Sequence, residues 1–206
     1  TIYYKAGWKT AFETGQTTTD TFTAADGSEQ RMDFMHQTKA GSVLRGEGYT
    51  AAPKGLECGR MVFVLPDEGV TPESLLAREG FLMELTGEYS GARVVWSVPK
   101  FDVKSSADLM DVLKALGVTD AFDREKADFT PLTDDGAVVG SVMQAARVRI
   151  DEEGVEAAAY TEIVVAPTAA EEPSVMVEMN LNRPFLFAIF SDANVPLFVG
   201  TVQSVA

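Results

Sequence analysis

Hydrophobic and polar positions alternate in short runs along most of this chain, and that alternation predicts strands more often than helices. Residues 146–150, Ala-Arg-Val-Arg-Ile, alternate apolar and charged and read as a half-buried strand. Extended upstream to Val138, they form a long strand that feeds the segment after it. Past the acidic break at 151–154 the alternation resumes. Val155, Ala157, Ala159, Thr161, Ile163 and Val165 fall on one face, and Glu156, Ala158, Tyr160, Glu162 and Val164 on the other, because successive strand side chains point to opposite faces. The same stretch is rich in Ala and Glu, which favour helix. Its far end, 166–173, is small, acidic and interrupted by Pro167 and Pro173, the composition of an exposed loop. Two readings stand: an acidic linker or surface helix, or a loop in one state that becomes a strand in another.

Elsewhere the pattern is plainer. Residues 1–12 read as a strand end leading into a turn, with Trp8 and Phe12 as packing anchors, and 34–36 as a short strand. Residues 41–59 carry five glycines and read as loop-rich. Residues 61–65 are continuously apolar before Pro66-Asp67-Glu68-Gly69, so a buried strand and a turn are expected. Thr71 and Pro72 have the character of an N-cap and first helical residue, predicting helix over 72–86 with a break near Gly80. Residues 94–98 read as a strand with Trp96 in the core or at a gate. Ser105 is placed to cap a helix whose Leu109, Val112, Leu113 and Leu116 share a face and which Gly117 ends. Residues 134–136 signal a turn without calcium-loop spacing. Residues 175–181 read as a strand, and the apolar runs 185–190 and 197–202 as a hairpin buried on both faces.

Composition narrows the function. Of 206 residues 46% are hydrophobic, enough for a core, and the net charge of −14 argues against nucleic-acid, anionic-membrane and broad heparin-type surfaces. The most apolar block, 185–190, is far too short for a membrane span. Cys58 is alone, so no internal disulfide forms, and a buried or inert thiol is expected. His36 is the single histidine and has no Gly-x-Ser-x-Gly elbow to serve, so it reads as a structural polar contact. No P-loop, zinc spacing, Rossmann glycine pattern or internal repeat occurs, so no cofactor or metal is expected.

The segment Glu152, Glu153, Gly154, Val155, Glu156, Ala157, Ala158, Ala159 resembles the hinge of the serpins, protease inhibitors that trap their targets by inserting a bait loop into a sheet. Further motifs follow in that family's order: residues 2–8 with Phe12, Phe34-Met35-His36-Gln37, residues 61–67, Val98-Pro99-Lys100-Phe101, residues 116–122, Ala127-Asp128-Phe129, residues 182–187 and Leu197-Phe198-Val199-Gly200. Each is weak alone; together and in order they are specific, and they cover nearly the whole chain.

The resemblance implies an α+β fold of mixed β-sheets with helices and an exposed reactive-centre loop. It implies one serpin-like domain over 1–206, with 152–173 as hinge and loop, and it implies that the N-terminal half of the fold lies outside this chain. It further implies an inhibitor rather than an enzyme, acting extracellularly by a conformational change on a target serine protease. Lys100 is expected to pair with Glu152 where the sheet opens, and Gly154 to supply an unusual backbone turn. Counting along the loop from Glu152 puts the reactive bond at Thr168-Ala169, give or take a few residues, while counting back from Asn182 leaves room for it to lie further on. The surrounding small residues suit an elastase-like protease, with a subtilisin-like or cysteine protease also open. The absence of Lys and Arg between Arg149 and Arg183 argues against a trypsin-like target, and Glu171 or Glu172 would suit a glutamate-specific one. A non-inhibitory member, a carrier or chaperone, is the alternative. Gln144, Ala145 and Ala6 depart from the residues common in the family.

Overall fold

The structure, a computed structural model, describes residues 4–133, 136–155 and 175–204. In chain order the strands are β1 (Ala6–Gly7), β2 (Thr18–Thr23), β3 (Glu29–Gly46), β4 (Tyr49–Gly55), β5 (Arg60–Pro66), β6 (Ser90–Pro99), β7 (Phe101–Asp108), β8 (Met143–Ile150), β9 (Gly154–Val155), β10 (Met176–Asn180), β11 (Phe185–Phe190) and β12 (Pro196–Val202). The α-helices are α1 (Pro72–Leu76), α2 (Phe81–Glu84) and α3 (Met110–Ala115). The chain divides into two compact units, one of residues 4–103 and 148–206, the other of residues 1–3 and 104–147.

In the larger unit β10-β6-β3-β4-β5-β11-β12 form a continuous sheet, with β2 pairing β3 off that path. The apolar run of β11 is explained by cores on both faces. Phe185, Phe187 and Ile189 enter one cluster with Trp8, Phe22, Phe34, Phe63 and Trp96. Leu186, Ala188 and Phe190 enter the other with Tyr49, Leu75, Phe81 and Leu85. β5 is split the same way, with Phe63 on the first side and Val62 and Val64 on the second. A strand with period two can be wholly apolar only where each face meets a core.

Several expectations are corrected. Residues 41–59 are mostly strand, the end of β3 and all of β4, joined at Glu47-Gly48. Their glycines mark close approach and turns: a Cβ on Gly46 would lie 2.2 Å from the Tyr49 ring, and Gly48 has φ +78°. Ser105 caps no helix, because β7 runs to Asp108 and α3 begins at Met110. Gly117, at φ +93°, stands just past that helix as expected. Thr71 caps α1, accepting from Ser74 N at 3.2 Å. β12, the last strand of that sheet, is buried on only one face: Leu197 and Val199 are exposed and Val202 is buried. Cys58 is exposed rather than buried. The strand expected over 138–150 is β8, and starts only at Met143.

The larger unit also holds β1, β9 and the ends of β7 and β8, within a four-stranded sheet ordered β1-β9-β8-β7. The smaller unit contains the remainder of β7 and β8 with α3. There Leu109 N donates to Val142 O at 2.8 Å.

Candidate functional site

The site is built where β8 turns back on itself. Asp151 organises that turn: its N–H donates to Gly154 O at 3.1 Å, and its Oδ1 accepts from Glu153 N at 3.0 Å and Gly154 N at 3.3 Å. A short side-chain acceptor bonding its own backbone two residues on is what makes Asp a turn residue. The turn puts Val155 directly opposite Ile150 in an antiparallel pair. On its other side β9 pairs antiparallel with β1, Val155 against Ala6 and Gly154 against Gly7. The first two residues after the turn therefore already stand in the sheet between β1 and β8. Val155 is 2% exposed and lies in the same core cluster as Ile150, Val148 and Trp8.

Gly154 serves this arrangement by its missing side chain. A Cβ there would fall 2.3 Å from Ala6 O and 2.7 Å from Gly7 Cα, both rigid backbone. The expectation that it supplies an unusual turn is corrected: its φ is not positive, and close approach is the reason only glycine fits.

The segment after β1 holds the turn from the other side. Trp8 N donates to Glu153 O at 2.8 Å, and Phe12 N to Glu152 O at 3.0 Å. The Trp8 indole Nε1 donates to Asp151 O at 2.9 Å. Three consecutive carbonyls are thus each taken by a donor from residues 8–12.

The Glu152 side chain is buried and closes the site electrostatically. Lys100 Nζ lies 2.6 Å from its Oε1, and Thr17 Oγ1 donates to the same oxygen at 2.7 Å. Asp33 Oδ2 stands 4.0 Å from Lys100 Nζ, on its edge of reach. Burial by itself raises the Glu152 carboxyl, but the hydrogen bonds from Lys100 and Thr17 outweigh it and hold the group below the ordinary glutamate range.

Of the residues singled out from sequence, Lys100, Glu152, Glu153, Gly154 and Val155 are brought together here. Glu156, Ala157, Ala158, Ala159, Thr168 and Ala169 lie outside the described residues, as do Thr1 to Tyr3 and the turn pair at 134–135. Thr17, Asp151 and the Trp8 indole were not anticipated in these roles. Asp151 carried a local signal, an Asp three residues before a Gly. Thr17 carried none, since its partner is 135 residues away. His36 pairs with Thr18 across β2 and β3, Nε2 to Oγ1 at 2.9 Å. Gln144 is exposed on β8.

Comparison with known proteins agrees with this architecture. The family model described as Serpin (serine protease inhibitor) matches residues 1–205. Glia-derived nexin of Homo sapiens is 31% identical over 219 residues, covering 98% of this chain and 53% of that protein. Among solved structures, the thermophilic serpin tengpin in its native state superposes with a TM-score of 0.79 at 30% identity, covering 98% of this chain and 53% of that one. Thyroxine-binding globulin in complex with thyroxine superposes with 0.80 at 26% identity, covering 99% and 55%. The chain spans about half the length of the relatives it matches. With the family model spanning nearly the whole chain and relatives matching along its length, the chain belongs to the serpin family.

Proposed function

We propose that the complete fold to which this chain contributes is a suicide-substrate inhibitor of serine proteases, with residues 152–159 as its hinge. The observation that carries the reading is the buried Val155, already paired between β1 and β8 at the mouth of the sheet. Continuing the antiparallel register that sets Val155 opposite Ile150 would bring Ala157 opposite Val148 and Ala159 opposite Ala146, small side chains that enter a sheet without steric cost. A target protease takes the loop as substrate. Its serine forms an ester with the carbonyl of Thr168 and releases the amine of Ala169, which frees the hinge side of the loop to extend β9.

Energetics support a loop that waits for cleavage. Each new ladder bond contributes about 0.5–1.5 kcal/mol net, against about 1–2 kcal/mol per residue to order the backbone. Pairing alone is near balance, so the face formed by Val155, Ala157, Ala159, Thr161, Ile163 and Val165 must supply the surplus by burial. The Lys100–Glu152 pair with Thr17 closes the entrance until then. The small residues about Thr168 favour an elastase-like or subtilisin-like protease, in an extracellular setting, with the other half of the fold completing the sheet.

The test uses the complete protein with an elastase-like protease and, separately, trypsin, followed by a denaturing gel and the mass of the released C-terminal peptide. A detergent-stable complex with the former, and a peptide beginning near Ala169, is expected. Clean cleavage without a complex would overturn the inhibitory reading.

A second reading, a ligand carrier, is favoured by one feature. An open pocket of about 550 Å³ in the larger unit, lined by Pro66, Val70, Pro72 and Pro184 together with the charged Asp67, Glu68, Glu73 and Arg183, has the size of small-molecule sites. The likeness to thyroxine-binding globulin supports this reading. Calorimetric titration with hydrophobic hormones separates it: saturable binding without any protease complex would favour the carrier.

A further inference from the structure

Lys54 lies on β4 and is 6% exposed, so its ammonium is out of water. Burying such a charge is costly unless hydrogen bonds satisfy it. Its Nζ donates to Thr10 O at 2.8 Å and to Gln37 Oε1 at 2.9 Å. It also sits 4.0 Å from the Phe12 ring centroid and 5.4 Å from that of Trp8. Both rings belong to residues whose backbone amides hold the hinge turn.

The bonds continue beyond Lys54. With Gln37 Oε1 accepting from the ammonium, Gln37 Nε2 donates to Ala11 O at 2.8 Å. That carbonyl belongs to the same peptide group as the Phe12 N–H, which donates to Glu152 O at 3.0 Å. An unbroken chain of hydrogen bonds thus runs from the buried ammonium through the Gln37 amide and the Ala11–Phe12 peptide to the hinge. In such a chain each bond polarises the next, and a charge at the donor end strengthens the bonds beyond it. At its far end Glu152 is fixed by Lys100 and Thr17. An apolar side chain at position 54 would cover Trp8 and Phe12 without any desolvation cost. What the ammonium adds is its grip on Thr10 and Gln37, and through them on the loop that clasps the hinge.

We propose that Lys54, acting through Gln37 and the Ala11–Phe12 peptide, is a positioning residue that sets how tightly the hinge turn is held and hence how readily β9 extends. The proposal concerns the regulation of the hinge and rests on the inhibitory reading only for its consequence in protease trapping.

The test compares the complete wild-type protein with Lys54→Met, Gln37→Met and Lys54→Arg. Native-state amide exchange is read at Phe12, with Phe63 in β5 as internal reference, together with the uptake rate of a synthetic peptide copying residues 155–167. Lys54→Met is expected to speed exchange at Phe12 by about tenfold relative to Phe63, the size of one charge-assisted hydrogen bond, and to speed peptide uptake. Gln37→Met does the same with the ammonium still in place, and Lys54→Arg stays near wild type. Equal acceleration at Phe12 and Phe63, or none at either, overturns the relay. Should Lys54→Met fail to fold, Gln37→Met decides by the same readout. A selective change at Phe12 in a protein that traps no protease keeps the relay and removes the inhibitory reading. Protease trapping with unchanged exchange does the reverse.

Discussion

At Val155 one side chain carries two requirements. It must be apolar, because it is buried beside Ile150 and Val148 in the principal core. It must also be able to join a ladder, because Ala6 and Ile150 flank it on both sides. An arginine at this position would place an unpaired charge in that core, at a cost of several kcal/mol. On the proposed inhibitory reading, Val155→Arg in the complete protein is expected to turn inhibitor into substrate, with the yield of detergent-stable protease complex falling by about tenfold or more while cleavage continues. A stable complex at wild-type yield would count against the hinge reading.

At the level of elements, β9 is held at two points beyond the Asp151 turn itself. The backbone of residues 8–12 takes the carbonyls of the turn, and Lys100 with Thr17 takes the Glu152 carboxylate. Of these two, the second titrates in acid. Since the folded-state pKa of Glu152 lies below its ordinary value, the stabilisation it gives is complete above the unfolded value of about 4.3 and is lost as pH falls through the lower folded value. Lys100 faces this carboxyl with Asp33 on its outer side, and Thr17 stays neutral throughout. Uptake of a hinge peptide should thus be level from about pH 8 to about pH 5 and rise below about pH 4. In Glu152→Gln that acid step should vanish; the same rise in the variant would assign it to other carboxylates. This hold was half legible in advance. The pairing of Lys100 with Glu152 followed from resemblance, whereas Thr17 lies in a polar run where no periodicity distinguishes one hydroxyl from the next.

At the level of the whole molecule, apolar surface remains open. In the smaller unit Leu116, Leu132 and Met143 are exposed, and α3 buries none of its residues. In the larger unit Val195, just before β12, and Leu197, on it, are exposed, and β12 ends its sheet. Open edges and exposed apolar side chains favour association. The 206-residue chain by itself is expected to self-associate at micromolar concentration and to show no single cooperative thermal transition. A monomer by sedimentation with a cooperative melt would show that the cores of the larger unit are sufficient alone.

Sequence alone determined those elements whose signal is local. The unbroken apolar runs of β5 and β11, the Thr71 cap, Gly117 after α3 and the alternation around Ile150 all follow from side-chain period and backbone preference within a few residues. Tertiary structure decided what depends on partners far along the chain. The glycines of β3 and β4 looked like loop because their reason, a ring packed against Gly46, lies across a hairpin. Half of β12 looked buried because composition does not reveal which face of a strand meets a core. Gly154 is required by the backbone of β1, more than a hundred residues upstream, and the hold on Glu152 by Thr17 and Lys100 exists only once the residue before β2, the β6–β7 junction and the turn after β8 meet. Periodicity reports the faces of an element, and only packing reports what each face meets.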